Sequence, residues 1–173
     1  GQNERKILRD LGVKFGRYHV FLHRLIKPES VSLRTLLWKN HHQNYFNLKP
    51  PTFGLNFLDD KNSKNKNFML LCGFEKFNNF FVRIDILERL FVQIINSNSE
   101  KNKEIKMVPE MLNLLGCSKE NFKKLLTIMN YKIIEKNNEI FFKYSPKKNN
   151  NNKIVKNSKK ESPFGILRNL NFN

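Results

Sequence analysis

The chain has 173 residues, and its 32 lysines and arginines outnumber its 15 acidic residues, giving a formal net charge of +17. Hydrophobic residues make up 39% of the chain, enough for the core of one domain or of two small ones. The sequence has no uncharged apolar run of about 18 residues and no signal peptide, so we expect no membrane partner. A strongly basic chain suggests an anionic partner such as nucleic acid.

The excess of lysine is weak evidence on its own, because the whole composition is skewed. The chain contains no alanine and is rich in Lys, Asn, Ile and Phe, whose codons are rich in A and T. Mutational bias alone adds such residues without any selection for a binding surface. The positions of the basic residues, rather than their number, must therefore support a nucleic-acid hypothesis. The first residue, Gly1, suggests a piece of a longer protein.

Residues 1–57 are predicted to form a first block of helices and a hairpin. Glu4–Leu11 has helical character, and residues 12–22 alternate around two glycines as a strand or hairpin does. Glu29–Lys39 is predicted to be a helix that begins just after Pro28. The residues expected to face the core of this block are Val31, Leu33, Leu36 and Leu37, with Trp38 as an anchor.

Polar or proline-rich spacers divide the chain. Residues 49–52 are predicted to be an extended linker, and residues 59–67 a polar spacer. Residues 68–82 are predicted to form a β-hairpin that leads into a second module. Residues 146–161 are a Lys/Asn-rich segment predicted to be disordered, and residues 162–173 a short apolar docking tail.

Residues 68–145 contain the order of elements typical of a winged helix, three helices plus a β-hairpin. Pro109 is favourable at the start of a helix, Gly116 at its end, and Ser118 as the N-cap of the next helix. Asn137-Asn138 is typical of a hairpin turn, since asparagine tolerates positive φ. The predicted elements are helix Ile84–Ile95, strand Ile105–Val108, helix Pro109–Leu115, helix Lys119–Met129, and the hairpin strands Tyr131–Glu135 and Glu139–Tyr144.

These elements predict an α+β chain that is mainly α, with a winged-helix-like module preceded by a helix and hairpin accessory block. In the first helix of the module, the residues at helical spacing expected to be apolar and core-facing are Ile84, Leu87, Phe91, Ile94 and Ile95. Asp85 and Glu88 lie on the same helix. Acid–base chemistry is one interpretation of these two carboxylates, but helix capping and surface ion pairs explain them more simply.

No catalytic, metal or cofactor site is predicted within this sequence. It lacks the phosphate-binding G-x-x-x-x-G-K-[ST] motif, and no Ser-His-Asp or Cys-His arrangement can be argued. The histidines, among them His19 and His23, do not complete a zinc-ligand spacing. Cys72 and Cys117 both lie in apolar segments and are predicted to be small buried thiols in a reducing, cytoplasmic compartment, with a disulfide between them as the less favoured alternative.

Six basic residues are the candidate nucleic-acid contacts. Three lysines lie on the third helix of the module, away from its apolar stripe, and a fourth follows in the wing. Two arginines belong to the N-terminal block, and arginine binds phosphates bidentately. Lysines suit phosphate contact, whereas the lack of Arg, Asn or Gln on that helix face argues against base readout. The alternative is a solvated face in a lysine-rich protein. The candidates are Arg17, Arg24, Lys119, Lys123, Lys124 and Lys143.

Four segments resemble successive blocks in the C-terminal region of a bacterial helicase family. That family is related to the mitochondrial degradosome RNA helicase, a superfamily-two ATP-dependent enzyme of the Suv type. The segments cover more than half of the chain in matching order. They are LGVKFGRYHVFLHRLIKPESVSLRTLLW, RIDILERL, PEMLNLLGCSKENFKKLLTIMNYK and SPFGILRNL.

The resemblance implies a parent protein that unwinds RNA or RNA–DNA duplexes with ATP and magnesium. This region would follow the motor domains and guide RNA or another single strand, with a nuclease as a further partner. No catalytic residue transfers to this sequence, because the motor motifs match nothing in it. Two alternatives stay open: a protein-docking scaffold that recruits a nuclease or ribosomal partner, and an independent DNA-binding regulator.

Overall fold

The computed structural model describes residues 1–42, 47–60, 65–97 and 104–146. The predicted docking tail and all of the predicted Lys/Asn-rich linker except Pro146 lie outside the described residues. Within them the chain is a mixture of helices and small antiparallel sheets, compatible with the predicted α+β class. No helix in the described part is long and apolar enough to cross a membrane.

The described residues form six α-helices, a short 3-10 helix at His23–Ile26 and eight strands. The helices are α1 (Gln2–Asp10), α2 (Pro28–His41), α3 (Lys66–Leu71), α4 (Ile84–Ser97), α5 (Pro109–Leu115) and α6 (Lys119–Ile128). The strands are β1 (Val13–Phe15), β2 (Val20–Leu22), β3 (Phe57–Asp59), β4 (Phe74–Phe77), β5 (Phe80–Arg83), β6 (Ile105–Lys106), β7 (Tyr131–Lys136) and β8 (Glu139–Tyr144).

The N-terminal block contains the predicted hairpin, but one helix face was predicted wrongly. Strands β1 and β2 pair antiparallel, which confirms the hairpin, and α2 is confirmed as a helix that begins at Pro28, one residue before the predicted start, and ends two residues after the predicted end. The side chains of Leu33, Leu36 and Leu37 are 57%, 64% and 60% exposed rather than in the core. Helix α2 instead faces the core with a row spaced by three or four residues, whose members are Val31, Thr35 and Trp38.

The middle of the chain contains two elements that the sequence patterns did not predict. Helix α3 occupies the start of the expected hairpin at 68–82, with the Asn65 side chain accepting a hydrogen bond from the Phe68 amide at 3.0 Å. Strand β3 adds to the hairpin of β4 and β5, giving the sheet order β3-β5-β4. Residues 59 and 66–67 of the predicted polar spacer therefore belong to regular elements. This sheet and α2 enclose a small core of Val31, Phe68, Met69, Cys72, Phe74 and Phe81.

The C-terminal elements match their predictions closely. Gly116 ends α5 with φ +65°, the Ser118 side chain caps α6, and both residues of the Asn137-Asn138 turn have positive φ. Strands β6, β8 and β7 form an antiparallel sheet in that order. Helices α4, α5 and α6 pack on it around the main core, although Ile95 is half exposed rather than buried as predicted. The largest members of this core are Leu87, Leu90, Phe91, Met111, Leu115, Phe122, Leu125, Leu126 and Phe142.

Contacts between segments distant in sequence join the N-terminal block, the middle sheet and the C-terminal elements. The Asn56 amide donates a hydrogen bond to the Leu114 carbonyl at 3.0 Å, which ties the start of β3 to α5. The rings of Tyr18 and Phe91 lie 4.5 Å apart, so the turn between β1 and β2 packs on α4. The N-terminal block therefore rests directly on the helices that carry the C-terminal sheet.

Both cysteines are free thiols, and burial raises the pKa of each to about 11. At pH 8 the thiolate fraction should therefore be about one hundredth of that of a thiol at the ordinary value of 9.0, and alkylation correspondingly slow. We expect iodoacetamide to modify neither residue appreciably in the native protein. Both should react at the ordinary rate in guanidinium chloride. Rapid native modification of Cys72, followed by intact mass, would contradict its burial.

Candidate nucleic-acid interface

Glu88 lies within the apolar stripe of α4 and is buried, contrary to the expected surface ion pair. Its carboxylate accepts hydrogen bonds from three consecutive amides of the turn between β1 and β2. The donor–acceptor distances are 2.6 Å for Arg17, 3.0 Å for Tyr18 and 2.9 Å for His19, and the His19 Nδ1 lies 3.0 Å away. A buried carboxylate is tolerated only when donors replace its hydration, and this turn supplies them.

The residues that surround the Glu88 carboxylate are tightly packed. A Cβ atom at Gly16 would collide with the Glu88 side chain, so only glycine fits where the turn crosses α4. The second ring nitrogen of His19 lies 3.4 Å from the Glu75 carboxylate on β4. The turn is therefore held between α4 and the middle sheet.

Asp85 is also buried, and its partners account for it without acid–base chemistry. The Arg83 guanidinium donates to it at 2.7 and 3.1 Å, and the Ile86 amide donates at 2.9 Å. These bonds cap the first turn of α4, where a negative charge is stabilised by the helix dipole. Among the described residues, no cluster of three or more His, Cys, Asp or Glu side chains is arranged to hold a metal ion.

The turn between β1 and β2, which the hydrogen bonds to Glu88 hold in place, puts Arg17 beside two tyrosines. Its guanidinium lies 5.7 Å from the ring centre of Tyr18 and 5.8 Å from that of Tyr144, both within cation–π range. The hydrogen bond with the Tyr18 side chain holds the pKa of Arg17 above its ordinary value. As whole residues, Tyr18 and Tyr144 are 47% and 43% exposed. A permanent cation and two partly exposed tyrosines thus meet at the base of the β7–β8 hairpin.

The predicted lysines of α6 are in part neutralised. Lys123 donates to Glu135 on β7 at 2.5 Å. This hydrogen bond, the charge of Lys123 and the charge of Lys119 lower the pKa of Glu135, which keeps the carboxylate ionised. The cleft between α6 and the hairpin tip, with a volume of about 700 Å³, is also lined by Glu120 and Glu139. Positive charge is therefore weaker in this cleft than the sequence suggests.

Lys124 lies on the other side of α6 and makes no ion pair with any described residue. It lines a groove of about 450 Å³ between α6 and the β4–β5 turn. A second groove, lined by Tyr18 and Tyr144, begins at the C-terminal end of α6. The two grooves share Ile128 as a lining residue and therefore lie next to each other along α6; together they are called the α6 track.

The structure separates three of the six candidates from this track, one of which is Lys119, since it lines only the cleft at the hairpin tip. Side chains alternate along β8, and because Phe142 is buried against the helices, Lys143 lies on the opposite, exposed face of the sheet, directly across from Lys132. Arg24 is exposed on the 3-10 helix and lines none of the grooves along α6. The candidates that lie along the α6 track or at its end are Arg17, Lys123 and Lys124.

Sequence analysis missed several residues of this region. The position of Glu88 gave a usable signal, since a charged residue within an apolar helical stripe must find buried donors. Tyr144 and Glu135 gave no such signal. Their contacts with Arg17 and Lys123 join residues 127 and 12 positions apart, and no local pattern encodes those pairings.

Comparisons of the chain with protein-family models, with curated proteins and with solved structures gave no match.

Replacing Glu88 with glutamine should release the turn. The amide NH₂ would face backbone donors, and lost hydrogen bonds to a charged acceptor cost about 2–4 kcal/mol of unfolding free energy in total. We expect fast hydrogen exchange of the amides of residues 17–19 and a lowered midpoint in urea. The matched control, Glu29→Gln at an exposed site on α2, should change neither. If the amides of residues 17–19 stay equally protected from hydrogen exchange in Glu88→Gln, the carboxylate of Glu88 does not hold the turn.

Proposed function

We propose that this chain binds a single strand of nucleic acid along the track on α6, and that it guides this strand for an ATP-dependent helicase motor in the same parent protein. The observation that supports this best is the position of Arg17 between two half-exposed tyrosines, at one end of a helix that presents an unpaired lysine. Aromatic faces stack on bases of any sequence, and cations contact phosphates.

The proposal interprets the C-terminal elements as a winged helix. The order α4, β6, α5, α6, β7, β8 and the sheet order β6-β8-β7 fit that module, with α6 as its recognition helix and the β7–β8 hairpin as its wing. In many such modules the recognition helix and the wing contact nucleic acid. Here the cleft at the wing tip is lined by three carboxylates and the groove on the other side of α6 by one, Asp59, so the strand is proposed to follow that groove.

The helicase assignment rests on the sequence resemblance. ATP and magnesium belong to the proposed upstream motor, and none of the residues of this chain is proposed to act on them. The strand would be RNA or DNA, held mainly by its phosphates. Under this proposal the chain supplies binding and orientation, and the motor supplies chemistry.

The direct test is fluorescence anisotropy of the protein with short labelled single-stranded RNA over a range of salt concentrations. If about four phosphates contact Arg17 and the α6 lysines, the log–log slope of affinity against salt should be about −3. Replacing Lys123 and Lys124, which both line the groove, with glutamate should weaken binding more than tenfold and reduce the slope by roughly 1.4.

A matched control exists on the opposite face of the module. Reversing Lys132 and Lys143 changes the net charge by the same amount but leaves the α6 track intact. We expect this variant to lose far less affinity. Equal losses in the two double variants would mean that total charge, and not the α6 track, determines binding. Strong binding that is indifferent to salt would contradict the phosphate mechanism.

Replacing Glu135 with glutamine should strengthen binding. The change frees Lys123 from its ion pair and removes a negative charge next to Lys119. We expect a steeper salt slope, by about 0.7 for one added phosphate contact, and higher affinity at low salt. The control is Glu110→Gln on α5, which removes the same charge away from α6. If the Glu135 and Glu110 variants gain the same affinity for RNA, the Lys123–Glu135 pair does not limit binding.

A protein-docking scaffold is the second candidate, and one observation favours it. Three leucines on α2, at positions 33, 36 and 37, are exposed at helical spacing and form an apolar stripe. Replacing them with glutamine should leave RNA affinity unchanged under the first proposal. Loss of copurification with a nuclease or ribosomal partner in that variant, with normal RNA binding, would support the scaffold function.

A further inference from the structure

The groove between the β4–β5 turn and α6 combines three kinds of surface. Ile128 and the edge of the buried Phe80 contribute apolar lining, Lys123 and Lys124 contribute cations, Asp59 contributes one carboxylate, and the remaining lining is polar. Its volume of about 450 Å³ falls within the usual range of small-ligand sites. The polar groups at this groove include Asn78, Asn79, Asn121 and Thr127.

The three asparagines are available for a ligand. Thr127 is not, since its hydroxyl donates to the Lys123 carbonyl at 2.9 Å. The side-chain amides of Asn78, Asn79 and Asn121 form no hydrogen bond with any described residue. Each amide offers donors and an acceptor in one plane, the arrangement that pairs with the edge of a base.

The turn that presents two of these amides is fixed in place. Asn78 adopts φ +37°, which asparagine tolerates better than most residues, and strands β4 and β5 pair on either side of it. The Asn79 carbonyl accepts a hydrogen bond from the Asp60 amide at 2.7 Å. The sequence argued against base readout because the basic face of the third helix lacks Arg, Asn and Gln. In the structure Asn121 of α6 lines this groove, and the β4–β5 turn, more than 40 positions away in sequence, adds Asn78 and Asn79.

We propose that this groove holds an unpaired base of the bound strand. Asn79 and Asn121 hydrogen-bond the base edge, Ile128 contacts its apolar surface, and Lys124 contacts the adjoining phosphate. Adenine is a suitable probe base because its N6 donates while its N7 accepts. This inference rests on the proposed strand binding and adds a base contact to it.

The experiment compares two probes of equal length and charge, an adenosine oligonucleotide and the same backbone without bases. We expect the native protein to bind the first about tenfold or more tightly than the second, since base contacts each contribute about 1–3 kcal/mol. In Asn79→Ala/Asn121→Ala this ratio should fall several-fold, with the affinity for the abasic probe and the salt slope unchanged. The control, Asn96→Ala/Asn113→Ala, alters exposed asparagines outside the groove and should keep the ratio.

The outcomes separate this inference from the proposed function. If the native protein binds neither probe at low salt, the proposed function and the base contact both fail. If it binds both probes equally, with the expected salt slope, phosphate-mediated strand binding stands, and base contacts in this groove and at the two tyrosines are both excluded. An unchanged ratio in the Asn79/Asn121 variant, with native-like thermal unfolding, would assign the base contact to other residues and overturn the inference.

Discussion

The buried carboxylate of Glu88 constrains the arrangement of the whole molecule. A charge inside an apolar helix stripe destabilises the fold unless several donors reach it, and three consecutive amides from a turn about 70 positions away meet that need. Satisfying Glu88 therefore requires the N-terminal hairpin to dock on α4. Docking in turn places Arg17 between Tyr18 and Tyr144 and joins the N-terminal block to the C-terminal sheet.

The local distribution of charge matters more for the proposed function than the net charge of +17. At the tip of the β7–β8 hairpin, carboxylates pair with or surround Lys119 and Lys123 of α6, whereas Lys124 on the other side of the helix forms no ion pair with the described residues. Lysines gained through codon bias would be expected on every exposed face. The association of Arg17 and Lys124 with exposed tyrosines and free amides is what distinguishes the proposed track from such a background.

Short-range signals predicted much of the fold, and long-range pairings explain the failures. Gly116, Ser118 and the Asn137-Asn138 turn each determine their own backbone, so the helices and hairpin near them were predicted correctly. The leucines of α2 were misplaced because hydrophobicity alone does not show which face of a helix meets a core. Strand β3 forms only by pairing with β5, and the α6 groove exists only once the β4–β5 turn lies beside it.

Photo-crosslinking of the protein to single-stranded RNA that contains 4-thiouridine tests most directly whether a strand binds along α6. Mass spectrometry of the products locates the strand on the protein surface. If the strand follows the α6 track, crosslinked peptides should come from the β1–β2 turn around Tyr18, from α6 and from the end of β8 at Tyr144. Crosslinks confined to the outer sheet face around Lys132 and Lys143, or to the exposed leucines of α2, would contradict binding along α6.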